Sequence, residues 1–254
     1  MENLSQITTR RVSLEEEIPF TDAHCHLDLF PEPEKIFIEA RKAGVGIVIT
    51  AGGNSEGNIK TLDIVHGGIY GVVGISPEFM LPEAWKIEEL KDILKMNKNV
   101  IGIGEIGLDA VMAEKSPLEI QEKGFIKQLE IASSMEIPVV IHSRKSLSRT
   151  FEILKESAIK NVVFHYFEGN ENDAKAAEKE GWLVSIPPIE SSRLKRVIKV
   201  LDIESIVAET DSPAVGREPA DVLSVIEKIA ELKGISTVEA GERMTKTIKE
   251  YFYV

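Results

Sequence analysis

The stretch Val100-Ile101-Gly102-Ile103-Gly104-Glu105-Ile106-Gly107-Leu108-Asp109 decides between two folds. A Gly-x-Gly at the turn from a first strand into a helix would mark an open, doubly wound sheet with a phosphate-binding loop. Here the glycines sit inside an apolar, β-branched run, and no glycine-rich loop follows the first strand. They read as close packing within a strand. Seven similar runs accompany this one, and the eight together cover 19–27, 45–51, 69–75, 100–106, 138–142, 162–166, 182–186 and 206–209. Between them lie amphipathic segments with helical spacing, among them 34–43, 82–96, 117–135, 146–157 and 171–180, followed by 219–232 and 237–252. Alternating strand and helix implies parallel strands with right-handed crossovers. Eight units in 254 residues predict an α/β fold closed as a (β/α)8 TIM barrel.

The barrel is expected over residues 18–254 as a single domain. Residues 1–17 are polar and charged, and Arg10-Arg11 has no apolar run after it, so this segment reads as an extension and not a secretion signal. No stretch approaches the roughly 20 apolar residues of a membrane span. A single cysteine rules out an internal disulfide and suits a reducing, cytoplasmic setting. The formal net charge is −12, from 30 basic and 42 acidic residues. A protein that gripped duplex DNA by counterion release would present a basic surface. Two divalent ions would bring the sum only to about −8, so any contact with nucleic acid must be local. Nothing calls for a stable protein partner.

Chemistry-bearing residues collect at the ends of the runs. The first ends Asp22-Ala23-His24-Cys25-His26-Leu27-Asp28. Alternation along a strand puts His24 and His26 on one face, about 7 Å apart, where both imidazoles can reach one metal. Cys25 then faces the helices as a small buried hydrophobe. Asp22 shares the inward parity one layer deeper, where it could orient a ligand histidine or simply pair within the core. Glu105 stands in an apolar, glycine-rich strand, where a carboxylate is costly to bury unless paired or bound to metal. It is a candidate bridging ligand or one half of a buried salt bridge. The fifth run closes in His142-Ser143-Arg144 and the sixth in His165; the eighth ends Glu209-Thr210-Asp211-Ser212-Pro213. Singly, such histidines are ordinary core residues. Jointly, five runs end in His, Glu or Asp, where the strand ends of a TIM barrel converge on the active site. His66, before Gly67-Gly68, reads as a helix-terminal residue without function. Four histidines, two or three carboxylates and no thiolate suit Zn²⁺, Mn²⁺ or Mg²⁺.

These motifs resemble the TatD family of metal-dependent deoxyribonucleases, within the wider amidohydrolase-like barrels. The resemblance runs from Thr21 to Phe252 and rests on the strand ends quoted above. It implies that His24, His26 and Asp211 hold one metal, that His142 and His165 hold a second, and that Glu105 bridges them. It further implies phosphodiester cleavage by metal-activated water, with Arg144 placed to meet a phosphate. Asp211 is then the candidate general base, with Glu105 and Arg144 completing the catalytic set. Glu209 is a candidate supporting residue. DNA ends or short oligonucleotides become the expected substrates. The chain departs from the family pattern in four places. Ser76-Pro77 stands for His-Pro, and Ala110-Val111 replaces aromatics after Gly-Leu-Asp. Tyr166-Phe167-Glu168-Gly169 stands where Cys-Phe-Ser-Gly is usual, and only Gly216-Arg217-Glu218-Pro219 matches the family's longer loop. Two other readings stay open: an amide or cyclic-amide hydrolase using the same mouth, and a metal-binding scaffold without turnover.

Overall fold

In the computed structural model the described residues are 20–81 and 86–254. The extension expected over 1–17 lies outside them, as does 82–85, the start of the helix expected over 82–96. Eight parallel strands pair in chain order. They are β1 (Phe20–Cys25), β2 (Val45–Ala51), β3 (Ile69–Val73), β4 (Val100–Asp109), β5 (Val139–Arg144), β6 (Val162–Phe164), β7 (Leu183–Ile186) and β8 (Ile206–Ala208). The helices among the described residues are α1 (Pro33–Lys42), α2 (Ser55–Ile64), α3 (Leu90–Met96), α4 (Leu118–Met135), α5 (Leu147–Glu156), α6 (Glu171–Lys179), α7 (Ser192–Val200), α8 (Val222–Lys233) and α9 (Thr237–Phe252). The seam closes just past β8, where the Asp211 N–H donates to the His24 carbonyl at 2.9 Å and the His26 N–H to the Ser212 carbonyl at 2.8 Å. The architecture is the expected TIM barrel.

Each strand sends at least one apolar side chain into the barrel: Ala23, Ile49 with Ala51, Val72, Ile101, Val140, Val163, Leu183 and Val207. Ile248 and Phe252 of α9 join the same cluster. Thr245 of α9 bonds Thr21 at 2.8 Å, and the Tyr251 hydroxyl takes the Val162 N–H at 2.7 Å. All these contacts fall at strand starts, so α9 plugs the N-terminal end. A second, larger core lies between sheet and helices and includes Cys25, Val48, Ile103, Ile106 and Phe125.

Two bulges break the alternation that the sequence suggested. On β1, Asp22 pairs with Val48 and Cys25 with Thr50, so Ala23 and His24 both stand opposite Ile49. Ala23, not Asp22, therefore belongs to the barrel interior, and the expected inward parity of Asp22 is corrected. On β4, Ile103 pairs with Val139 and Ile106 with Ile141, so Gly104 and Glu105 both stand opposite Val140. Bulges at barrel rims re-aim side chains. Here they turn His24 and Glu105 into the mouth while their neighbours stay in the core.

Several expected boundaries move. β6 stops at Phe164 and not at 166, because Tyr166 adopts φ +44° and leaves the extended path. β1 and β8 likewise end before His26 and Glu209, whereas β4 runs on to Asp109. The expected helix over 82–96 is helical from Leu90, after a 3-10 turn at Ile87–Glu89. α2 buries only Gly57, Asn58 and Thr61 and carries no apolar stripe.

Buried amides from the helices pin the strand ends. Asn58 of α2 takes the Gly74 N–H at 3.1 Å and donates to the Gly74 carbonyl at 2.9 Å. Gln128 of α4 does the same to Ile75, at 2.7 and 3.1 Å. Gln121 takes the Asp109 N–H at 2.7 Å and donates to the Asp109 and Ser116 carbonyls. Each replaces the ladder bonds that a strand loses where it ends. Gln128→Ala should lower the unfolding free energy by about 2–4 kcal/mol, from two lost bonds, two orphaned backbone groups and a cavity. Urea unfolding followed by circular dichroism would measure it, and a loss under about 0.5 kcal/mol would show the clamp to be idle.

Candidate metal centre

The structure brings the six expected ligands together at the C-terminal mouth. The Glu105 carboxylate faces ring nitrogens of four histidines: His24 Nε2 at 3.8 Å, His26 Nε2 at 3.7 Å, His142 Nδ1 at 2.5 Å and His165 Nε2 at 3.6 Å. Asp211 Oδ1 lies 3.8 Å from His24 Nε2 and 3.4 Å from His26 Nε2. His24, His26 and Glu105 form one group of donor atoms within 4.8 Å of one another, and Glu105, His142 and His165 form another. Glu105 belongs to both. A third group, His24, His165 and Asp211, crosses between them, as the stacking of the His24 and His165 rings at 3.8 Å requires.

Three of the four imidazoles have an acceptor facing the outward nitrogen, and two of them are hydrogen-bonded to it. His26 Nδ1 meets the Ala51 carbonyl at 2.9 Å. His142 Nε2 meets Asp109 Oδ2 at 3.2 Å. His165 Nδ1 lies 3.1 Å from Glu209 Oε1, an ion-pair distance at an angle unfavourable for a hydrogen bond. An acceptor on one ring nitrogen places the proton there and leaves the other nitrogen's lone pair for a ligand. The nitrogens turned to Glu105 are then Nε2 of His26, Nδ1 of His142 and Nε2 of His165, and His142 Nδ1 is itself hydrogen-bonded to the carboxylate, so a bound cation would take the place of that proton. His24 is different: it is fully buried, and neither ring nitrogen has a hydrogen-bond partner among the described residues. A buried imidazole without partners is costly. A cation bound at Nε2 would remove part of that cost, so the donor set fits divalent metal.

Asp109 was not singled out in the sequence as a site residue. Its other oxygen takes the Val111 N–H at 2.8 Å, and Gln121 fixes its backbone, so His142 is held from a rigid strand end. Glu209, expected as a supporting residue, faces His165 Nδ1 without hydrogen-bonding it and accepts the Tyr166 N–H at 2.7 Å. Asp22 holds backbone and not an imidazole: it accepts the N–H groups of Thr210 and His24 at 2.9 and 3.3 Å. Cys25 is buried away from the mouth, and His66 is exposed against Glu34.

Burial alone would raise the Glu105 carboxyl, but His165 and His142 hold it well below its usual range. Burial would lower His26, His142 and His165. The facing carboxylates outweigh it and raise them to about 9, 10 and 9. His24 goes the other way, pushed well down by burial and by the neighbouring His165 and His26.

Beside this cluster lies a pocket of about 380 Å³, lined by His142, His165 and Asp211 together with Arg144, Tyr166, Glu168, Ala214 and Val215. Arg144 is exposed at its edge. The guanidinium groups of Arg41, Arg149, Arg193, Arg196, Arg217 and Arg243 all bond to carboxylates or carbonyls. Among the described arginines, Arg144 is the one without such a bond.

A closed parallel barrel with imidazoles and carboxylates converging at its C-terminal strand ends defines the class of metal-dependent barrel hydrolases. The chain belongs to the TatD related DNase family, whose pattern matches residues 21–253. An uncharacterized metal-dependent hydrolase of Methanocaldococcus jannaschii is 30% identical, over 93% of this chain and 98% of its own. The deoxyribonuclease TATDN3 of Homo sapiens is also 30% identical, over 92% of this chain and 95% of its own. The crystal structure of a TatD homolog from Escherichia coli K12 superposes with a TM-score of 0.86 at 25% identity, covering 93% of this chain and 99% of the other. No helix among the described residues is long and apolar enough to cross a membrane.

Two outcomes follow from the geometry. Raised values near 9–10 mean that His26, His142 and His165 are protonated near neutral pH in the metal-free protein, so an arriving ion must displace protons. Metal affinity should therefore rise as pH increases toward those values. Binding should release protons, seen by calorimetry in two buffers of different ionisation enthalpy; no release would contradict the ion-paired arrangement. Asp109→Ala, which frees His142 Nε2, should weaken metal binding about 10–100-fold, read by titration against a competing chelator.

Proposed function

We propose that the protein is a phosphodiesterase of the deoxyribonuclease type, using two divalent ions, Zn²⁺, Mn²⁺ or Mg²⁺, to attack DNA ends or short oligonucleotides. His24, His26 and Asp211 would hold one ion, His142 and His165 the other, and Glu105 would bridge them. Bound divalent ions supply Lewis acidity and a water of lowered pKa. Asp211 would accept the proton of the attacking water, since it sits at the rim of the same pocket and within 3.4–3.8 Å of the His26 and His24 nitrogens. Ala51, Asp109 and Glu209 would keep their histidines in the ligating tautomer. Arg144 would clamp a non-bridging phosphate oxygen through its fork of N–H donors.

Arg144 is the observation that carries this reading over an amide hydrolase. In a chain with twelve more acidic than basic groups, its guanidinium has no hydrogen bond or ion pair among the described residues, beside the ligand cluster. A neutral amide substrate offers no anionic oxygen to a guanidinium. Relatives named as deoxyribonucleases support the same choice. The net charge points to short or single-stranded ends, which reach the mouth without laying a long polyanion across an acidic body.

The test is a panel of bis(p-nitrophenyl) phosphate, a single-stranded oligonucleotide, a long duplex and a cyclic amide, with Mg²⁺, Mn²⁺ and Zn²⁺ compared. Wild type should cleave the first two fastest. Glu105→Ala and Asp211→Ala should remain folded and lose turnover. Arg144→Ala should lose about 1–3 kcal/mol of transition-state binding on phosphodiesters and little on an amide. Turnover confined to the cyclic amide would overturn the proposal, and silence on every substrate with metal bound would favour a scaffold.

A further inference from the structure

Tyr166 and Glu168 are among the pocket residues whose side chains hold no metal ligand. Tyr166 directly follows His165 and adopts φ +44°, a conformation few non-glycine residues take without a compensating contact. The compensation is its N–H bond to Glu209 Oε1 at 2.7 Å. The residue that braces His165 therefore also fixes where the half-buried phenol ring stands. That ring's centroid is 6.0 Å from the His165 ring. Glu168 is half-buried, and its Oε2 accepts the N–H of Lys145 at 3.1 Å. Lys145 has φ +49° and follows Arg144, so this bond secures the turn that presents the arginine. The carboxylate has no ion pair among the described residues.

The pocket thus displays an unpaired cation and an unpaired carboxylate that do not neutralise each other. A ligand satisfying both must carry an anionic oxygen for Arg144 and an N–H donor for Glu168. Tyr166, Ala214 and Val215 add an aromatic ring and apolar surface to the same lining. A phosphate alone meets only the first need, and a long polyanion would be repelled by Glu168. A nucleotide whose base bears an amino group meets all of them. The pocket's 380 Å³ falls in the size range of single small-molecule sites.

We propose that Tyr166 and Glu168 form a subsite for the base next to the scissile phosphate. Tyr166 is its stacking platform and Glu168 its hydrogen-bond acceptor, so that adenine or cytosine is preferred to thymine. The proposal rests on the phosphodiesterase reading and adds base selection to it. Adenine N6 and cytosine N4 are amino donors; thymine's one base N–H, at N3, is flanked by the O2 and O4 acceptors, which would face the carboxylate lone pairs. Stacking accepts any base, so the selection falls to Glu168.

The decisive variant is Glu168→Gln. Its amide oxygen can still take the Lys145 N–H, while its NH₂ group turns an acceptor into a donor. Wild type and variant, both metal-loaded, would be assayed on p-nitrophenyl esters of the adenine, cytosine and thymine deoxynucleoside monophosphates, as 5′ and 3′ isomers. Calorimetry with the free monophosphates would measure binding without turnover. Wild type should favour adenine and cytosine on the order of tenfold in kcat/KM and in affinity, the size of one hydrogen bond to a charged group. The variant should lose or reverse that order. Equal handling of the three bases by wild type would overturn the proposal. So would a uniform loss in the variant, which would leave Glu168 as a brace for the Arg144 turn alone. Turnover of bis(p-nitrophenyl) phosphate without base preference would remove this subsite and spare the phosphodiesterase reading. If no ester is cleaved, the binding order alone decides the subsite.

Discussion

The Glu105 carboxylate, 7% exposed, faces a nitrogen of each of four histidines at 2.5–3.8 Å. A buried anion in this position is tolerable only while positive charge surrounds it. The surrounding groups come from β1, β5 and the turns after β1 and β6, so no short segment of chain could supply them. A closed barrel can, because its strand ends converge. The other features of the mouth serve the same end. A bulge turns Glu105 inward, a second bulge turns His24 toward it, and the buried amides of Asn58, Gln121 and Gln128 hold the ends of β3 and β4 where their own ladders stop.

Much of this could be read from the residues. Alternating apolar runs and amphipathic segments specify a barrel because period and order are local properties. His24 and His26 read correctly as sharing a face because the β1 bulge lies just before them, at Ala23-His24. Asp22, on the other side of that bulge, did not, since parity cannot be carried across an extra residue. Asp109 escaped notice for another reason. Its function is to meet His142, which lies 33 residues further along the chain, and only the β4–β5 register puts the two within 3.2 Å. The tautomers followed the same rule: each depends on an acceptor contributed by a different element. α2 lacked a sequence signature because it packs through Gly57, Asn58 and Thr61 and not through an apolar stripe.

Charge is distributed on two scales. Over the surface, lysine and glutamate pair at i,i+3 and i,i+4, as in Lys42–Glu39 and Lys123–Glu119. Such exposed pairs add little stability, and each neutralises one surface cation against one carboxylate, so the excess of acidic groups leaves the body acidic. At the mouth the opposite holds. Donors and acceptors there are buried, only partly satisfied and close together, where low local dielectric strengthens each interaction. Unpaired Arg144 stands at the boundary between the two regimes.

The plug formed by α9 has a bearing on how the protein comes into being. The candidate ligands run from His24 to Asp211, but the helix that fills the opposite end of the barrel spans Thr237–Phe252. A growing polypeptide on the ribosome holds its first histidines long before it has made the residues that close the sheet and seal its base. Until Ile248 and Phe252 are made, the interior apolar layer remains open at one end. Sealing of the barrel's base therefore waits until α9 has followed every residue of the mouth out of the ribosome, and a nascent chain released before α9 would leave the barrel unsealed at its base.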